Sequence, residues 1–125
     1  MNRRAALAVS AAVCVALSAC GGDPGDETAQ AACAGYGDAT SGAESGDAAR
    51  TTALERARRA GEANSAYGTL AGDMADAWKR ADAMADAHNS GQQGSGDELA
   101  AYSAADQRVR QDCADAGVEL GPLEP

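Results

Sequence analysis

Large apolar side chains are scarce in this chain of 125 residues, which contains no Phe and no Ile. From residue 20 onward, Leu, Val, Met, Trp and Tyr together number thirteen, and alanine supplies most of the apolar fraction of 45%. The length fits one domain, but a core made of so few large side chains is thin. Small domains with thin cores commonly depend on a covalent cross-link. The composition therefore predicts one small domain that needs such a cross-link.

The first nineteen residues have the three parts of an export signal. Arg3 and Arg4 give a positive start, an apolar stretch covers residues 5–16, and small residues precede Cys20. Residues 5–19 number fifteen, whereas a transmembrane helix needs about 20 apolar residues. We therefore expect residues 1–19 to direct export and to be removed. Cys14 lies in this segment and has no expected role in the mature protein.

The segment Leu17-Ser18-Ala19-Cys20 resembles the lipobox of bacterial lipoprotein precursors at all four positions. The resemblance implies that the Cys20 thiol is alkylated with diacylglycerol, that a signal peptidase cuts before Cys20, and that the new amino terminus receives an N-acyl lipid. Two or three acyl chains attach a protein stably to a membrane. The implied location is the extracytoplasmic face of the cell membrane. The alternatives are an ordinary secretory signal that is cut elsewhere and a retained membrane anchor.

Charge excludes some partners. The full chain has a net charge of −9, and removal of residues 1–19, which contain two arginines and no acid, would leave −11. Such a domain is repelled by nucleic acid and by anionic lipid headgroups, so we expect no nucleic-acid partner. Residues 20–27 comprise the lipidated Cys20 that the resemblance implies and a flexible tether, which their Gly- and Asp-rich composition predicts. A helical domain is expected over residues 28–125. We expect no cofactor besides the covalent lipid on Cys20.

Cys33 and Cys113 are the only thiols that remain once Cys20 is lipidated. An exported protein is exposed to oxidising conditions, which favour pairing of its cysteines. We therefore predict a disulfide between Cys33 and Cys113. The alternative, a redox-active or metal-binding pair of thiols, lacks any C-x-x-C spacing.

Helical patterns fill the predicted domain. A short helix over residues 28–34 carries Cys33 and is expected to end at Gly35 and Gly37, with a loop over residues 38–46. A long helical region over residues 47–88 has apolar residues at alternating spacings of three and four, namely Tyr67, Leu70, Met74, Ala77, Ala81, Met84 and His88. Internal glycines leave its continuity open.

A stripe of small residues follows the same region at spacings of three and four: Ala57, Gly61, Ser65, Gly68 and Gly72. Close helix packing is its favoured interpretation; compositional drift and a contact surface for another protein are the alternatives. The last helix begins near Gly96 or Asp97 and is expected to end at Gly117, with Val118 and the tail residues Leu120 and Leu123 packed against the bundle. Its shared face comprises Leu99, Tyr102, Val109, Cys113 and Ala116.

These pieces predict an all-α fold, a small antiparallel helical bundle whose first and last helices are joined by the disulfide. The whole chain is also similar to small alanine-rich actinobacterial lipoproteins, which tend to have one cysteine early and another in a closing helix before Gly-Val. That similarity implies no activity.

Few residues are candidates for chemistry. His88 is the only histidine, and helix capping or packing explains it better than a metal site with Met84 and Asp82 or Asp86, because zinc spacings are missing. We predict Trp78 at the edge of the apolar seam, with an exposed partner-binding anchor as the alternative. The acids Asp73, Asp76, Asp82 and Asp86 fit a solvated helix face. No metal site and no catalytic residues are predicted.

Two functions remain. The favoured one is a membrane-tethered, non-enzymatic envelope lipoprotein that acts by contact with another envelope component. The alternative is an extracytoplasmic lipoprotein that binds or senses a small ligand or cation. An exposed apolar patch around Trp78 and Tyr67 would favour a partner surface, whereas a pocket with converging polar groups would favour a ligand.

Overall fold

The computed structural model describes residues 23–41, 46–91 and 96–121. This part of the chain is helical and contains no strand. Its elements are α1 Asp26–Ser41, α2 Asp47–Ala63, a 3-10 helix Ser65–Tyr67, α3 Leu70–Asn89 and α4 Gly96–Asp115. The predicted all-α fold is confirmed. Within these residues no helix is both long enough and apolar enough to cross a membrane.

Neighbouring helices run antiparallel, as predicted. Gly35 in α1 lies beside Ala53 of α2, whereas Gly25, just before α1, lies beside Ala60 near the end of α2. The other neighbouring helices show the same reversed order. Between α2 and the chain from Gly68 through α3, the contacts are Arg50 with Asp82 and Gly61 with Gly68. Between α3 and α4 they are Thr69 with Asp112 and Asp76 with Arg108, and between α1 and α4 they are Gln30 with Ala116 and Tyr36 with Asp106. The helices therefore form two hairpins, α1–α2 and α3–α4, which pack against each other.

The disulfide between Cys33 and Cys113 is present and confirms the predicted pairing. The two Cα atoms are 5.7 Å apart, and both side chains are fully buried. The bond joins α1 to α4, which contact each other far less extensively than the helices within each hairpin do. The disulfide therefore ties the first hairpin to the second where packing between the two is limited.

The first helix is longer than predicted, because Gly35 and Gly37 lie inside it. A Cβ on Gly35 would come within 3.2 Å of the Ala53 Cβ, and one on Gly37 within 3.2 Å of a Leu120 methyl. These glycines therefore permit close packing and do not end the helix, although each costs about 1 kcal/mol of helix propensity relative to alanine. The predicted loop over residues 38–46 is correspondingly wrong for residues 38–41, which are helical.

The region predicted as helical over residues 47–88 is two helices separated at Asn64. Asn64 is extended, with φ −148° and ψ 116°, and its side-chain oxygen accepts a hydrogen bond of 3.0 Å from the Ala66 amide. A Cβ on Gly61 would lie 3.2 Å from the Tyr67 carbonyl oxygen and 3.3 Å from Gly68. Close packing, the favoured interpretation of the small-residue stripe, therefore holds at Ala57, which is buried, and at Gly61, but not at Gly72, where a Cβ would meet nothing within 4 Å.

The core is thin and rich in alanine. Among the described residues the largest fully buried side chains are Tyr36, Leu70, Met74, Val109, Cys33 and Cys113, and the other buried apolar residues are Ala29, Ala32, Ala53, Ala57, Ala60, Tyr67, Ala77, Trp78, Ala105 and Ala116. Methyl groups and small helix separations replace bulky side chains. Such a core leaves little apolar burial to offset the loss of any single large contact.

Two predicted faces are buried only in part. The α3 seam is buried as far as Ala77, but His88 at its end is exposed, so packing does not explain that residue. In α4, Leu99 was expected on the buried face and is instead 55% exposed. Tyr36 of α1 lies opposite Asp106 of α4, and the two helices are antiparallel. The described part of α1 extends five residues past Tyr36, to Ser41, whereas Leu99 lies seven residues before Asp106. No described side chain of α1 therefore covers Leu99.

The last helix ends at Asp115, and the predicted terminator Gly117 lies in the turn that caps it. This glycine has φ +88°, a conformation that side chains disfavour and that glycine adopts at helix ends. The Val118 amide donates to the Cys113 carbonyl at 2.8 Å, and Val118 and Leu120 pack against the core. Leu123 lies outside the described residues.

Candidate functional site

Trp78 lines an open groove between α2 and α3. It lies on α3 and is 6% exposed, which confirms the prediction that it borders the apolar seam. Its ring packs against Tyr36 with centroids 5.3 Å apart and planes tilted by 32°. The guanidinium carbon of Arg50 lies 5.6 Å from the Trp78 ring centroid, a distance at which a cation is attracted to an aromatic face.

An open groove of about 560 Å³ lies between α2 and α3 at this position. We call it the Trp78 groove. Its apolar lining consists of Leu54, Ala75, Trp78 and Ala83. The volume falls within the range of about 300–1,000 Å³ that small-molecule sites occupy.

Charged side chains complete the lining of the Trp78 groove, namely Asp47, Arg50, Lys79, Asp82 and Asp86. Arg50 donates a hydrogen bond of 2.7 Å to the Asp82 carboxylate. This ion pair links α2 to α3. The two side chains are 30% and 60% exposed, so solvent screens their attraction and the pair stabilises the fold only weakly.

The Trp78 indole N–H has an unusual environment. Its nitrogen is buried and has no hydrogen-bond partner among the described residues. A buried donor without a partner costs about 1–3 kcal/mol. An atom of this kind is commonly found where a protein binds something else or retains strain for function.

A second polar cluster lies in the core and was not predicted. Asp106 is 2% exposed and accepts hydrogen bonds from the Tyr36 hydroxyl at 2.7 Å and from Arg110 Nε at 2.6 Å. Burial and the bond to Asp106 raise the pKa of Tyr36 well above its usual range. Arg110 also donates to the carbonyl oxygens of Leu120 and Gly121. The cluster therefore links the core to the tail that follows α4.

Asp106 and Arg110 occupy i, i+4 positions, and Asp106 follows Tyr102 by four residues and precedes Val109 by three. That placement on the apolar face is a sequence signal for a buried carboxylate. The same i, i+4 spacing at Asp76 and Arg80, which we predicted on a solvated face, gives an exposed ion pair of 3.1 Å. Arg108 joins this surface network at 2.8 Å from Asp76.

A pair of carboxyl groups, Asp73 and Asp112, lies between α3 and α4. Burial, and secondly the hydrogen bond to Asp73, raise the pKa of Asp112 to about 6. The Thr69 hydroxyl also lies 3.4 Å from Asp112. The folded protein therefore holds this proton more tightly than the unfolded chain, in which the ordinary value is 3.8, so that stability falls as pH rises from about 4 to about 6.

We expect Asp112→Asn to raise the free energy of unfolding by about 1 kcal/mol at pH 7, since partial exposure screens the full shift, and by little at pH 4. Urea unfolding at the two pH values measures this difference. Asp38→Asn, at an exposed position, is the control for the general removal of one negative charge. An equal effect of Asp112→Asn at both pH values would contradict the assignment.

The other predicted sites are not brought together. Leu17, Ser18, Ala19 and Cys20 lie outside the described residues, so the lipid site remains a prediction from the sequence. His88 is exposed, and among the described residues no group of three or more His, Cys, Asp or Glu side chains is arranged to hold a metal ion. The four acids expected on a solvated face divide between the Trp78 groove and the network around Arg108.

Comparison with known proteins identified no relative of this chain. No family model, no curated protein and no solved structure matches the chain.

Proposed function

We propose that the chain is a lipoprotein anchored through Cys20 at the extracytoplasmic face of the cell membrane, and that it acts without catalysis by contact with another envelope component. The lipobox sequence supports the anchor. The Cys33–Cys113 disulfide is the observation that supports export, because disulfides persist in exported proteins and are rare in reducing cytoplasm. A thin, alanine-rich helical bundle without a deep enclosed core fits a displayed module.

The charge of the domain bears on its partner. With a net charge of −11 after removal of residues 1–19, the domain is repelled by anionic lipid headgroups and is held near the membrane by its anchor alone. The partner that fits such a surface presents basic residues. Its association with the domain therefore weakens as salt concentration rises.

Crosslinking in intact cells tests this proposal. We expect the lipidated protein, recovered with detergent, to carry one specific crosslinked envelope protein. We expect intact-mass analysis to show that the mature protein begins at Cys20 and carries its acyl chains. We expect residues 21–125, exported behind an ordinary secretory signal and therefore without the lipid, to stay in the aqueous fraction and to lose the crosslink, because the domain is no longer held near its partner. Repeated recovery of the lipoprotein alone would contradict the contact, and an unmodified Cys20 in the mature protein would contradict the anchor.

A second candidate function is binding of a small ligand in the Trp78 groove. Trp78 and Tyr67 are 6% and 8% exposed, so these two side chains form no exposed aromatic patch for a protein partner. The groove is open to solvent and combines an apolar lining with charged side chains, residue types that also line small-molecule sites. This geometry favours a ligand in the groove. The proposed anchor at Cys20 is compatible with either function.

A further inference from the structure

The Arg50 guanidinium already occupies a cation position inside the Trp78 groove. It lies 5.6 Å from the Trp78 ring centroid and donates to Asp82 at 2.7 Å. An aromatic face and a carboxylate acting on the same positive group are the two elements of organic-cation recognition. The position of Arg50 therefore indicates that the groove accommodates a positively charged group.

The remaining lining of the groove favours the same chemistry. Three carboxylates, Asp47, Asp82 and Asp86, line the groove together with two cationic side chains, Arg50 and Lys79. Leu54 and Ala75 give the groove an apolar surface. An apolar body attached to a bound cation is stabilised by burial against them. A bare divalent ion fits poorly, since the described residues provide no cluster of three ligands for a metal.

The contacts of Arg50 are weak enough to be exchanged. Its side chain is 30% exposed and that of Asp82 is 60% exposed. Water screens the ion pair at these positions, and the guanidinium itself is partly in water although the Trp78 ring beneath it is 6% exposed. A competing cation that also buries an apolar body gains a contact that the arginine side chain does not make.

We propose that the Trp78 groove binds an organic cation, an ammonium or guanidinium group on an apolar body, which displaces the Arg50 guanidinium from the Trp78 face and from Asp82. This proposal rests on the second candidate function, that the groove binds a small ligand, and names the class of that ligand. Arg50 is then an internal competitor whose removal tightens binding.

Fluorescence of Trp78 provides the test, because Trp78 is the single tryptophan of the chain. The full-length protein in a neutral detergent is titrated with cyclohexylmethylammonium, with neutral cyclohexylmethanol and with cyclohexanecarboxylate. We expect the cation alone to change the emission saturably. We expect Arg50→Ala to tighten cation binding by about tenfold, since it removes the competing ion pair and cation–π contact.

Two further variants define the site. Asp82→Asn in the Arg50→Ala background is expected to weaken cation binding by about fivefold, because a carboxylate partner is lost. Arg59→Ala is the matched control: Arg59 also lies on α2 in an exposed ion pair, at 2.6 Å from Glu55, and its removal should leave the affinity unchanged. Circular dichroism establishes that each variant retains its helices.

The outcomes separate the two proposals. Equal binding of the neutral and cationic probes overturns the inference about ligand class and leaves the groove as a ligand site. Cation binding that Arg50→Ala does not tighten overturns the role of Arg50 as competitor. Absence of saturable change with every probe, in the parent and in the Arg50→Ala variant, overturns the groove function as well.

Discussion

Replacing Cys33 by serine is expected to lower the free energy of unfolding by about 4 kcal/mol, and replacing Cys113 by the same amount. The two cysteines are 80 residues apart, and a cross-link that closes a loop of this length removes about that much conformational entropy from the unfolded chain. Small domains are stable by only about 5–15 kcal/mol. Either change therefore removes a large part of the stability of this domain.

Urea unfolding of the two single variants and of the double variant measures the effect. We expect the double variant to be no less stable than either single variant, because one bond is lost in all three. The parent protein under reducing conditions controls for the cost of a buried serine. Additive losses in the double variant would show that the two thiols act independently.

Arg110→Met is expected to lower the free energy of unfolding by about 3 kcal/mol. It leaves the Asp106 carboxylate, which is 2% exposed, with the Tyr36 hydroxyl as its remaining described partner. Removing one member of a buried ion pair is strongly destabilising, because the other charge stays buried without compensation. The change also removes the hydrogen bonds from Arg110 to Leu120 and Gly121, so amide exchange should increase over residues 118–121.

Arg108→Met is the matched control for this prediction. Arg108 lies on the same helix and pairs with Asp73 and Asp76, but its side chain is 50% exposed. Its loss should cost less than about 1 kcal/mol, as is usual for surface ion pairs. The Asp106→Asn/Arg110→Met double variant should be more stable than the sum of the single effects predicts, because the buried charge is then absent. Similar costs for Arg108→Met and Arg110→Met would contradict a special role for Asp106.

The predictable part of the fold is the part set by local pattern. The spacing of Leu70, Met74 and Ala77 identified the buried stripe of α3, and Gly117 followed by Val118 identified the end of α4. The disulfide followed from the small number of cysteines in a chain with a predicted export signal. The stripe and the helix end depend on residues close together in the sequence. The disulfide depends on cysteines, for which few pairings are possible.

Glycine gave the main errors in element boundaries. Glycine is common at helix ends, but Gly35 and Gly37 lie inside α1. Their lack of a side chain there permits close contacts with Ala53 and Leu120. Only the packing of α2 and the tail distinguishes these two uses of glycine. Leu99 was misplaced for a related reason, because periodicity identifies a face of α4 but does not say where α1 ceases to cover it.

The Trp78 groove could be predicted only in part. Trp78 was placed correctly at the edge of the seam, but the pairing of Arg50 with Asp82 depends on the register between α2 and α3, which are separated by the turn at Asn64. The core cluster was missed because Asp106 with Arg110 and Asp76 with Arg80 share the same spacing. One pair is buried and the other exposed, and tertiary packing decides which.

The antiparallel register also sets the distance between the Trp78 groove and the point at which the chain enters the domain. Gly25 lies beside Ala60, while Arg50 is ten positions earlier on α2, and at 1.5 Å per residue this separates the two sites by about 15 Å along the helix axis. In the lipid-anchored orientation that we propose, the chain enters the domain at the end nearest the bilayer. The groove over Trp78 then opens on the membrane-distal half, where a soluble molecule reaches it without passing between lipid headgroups.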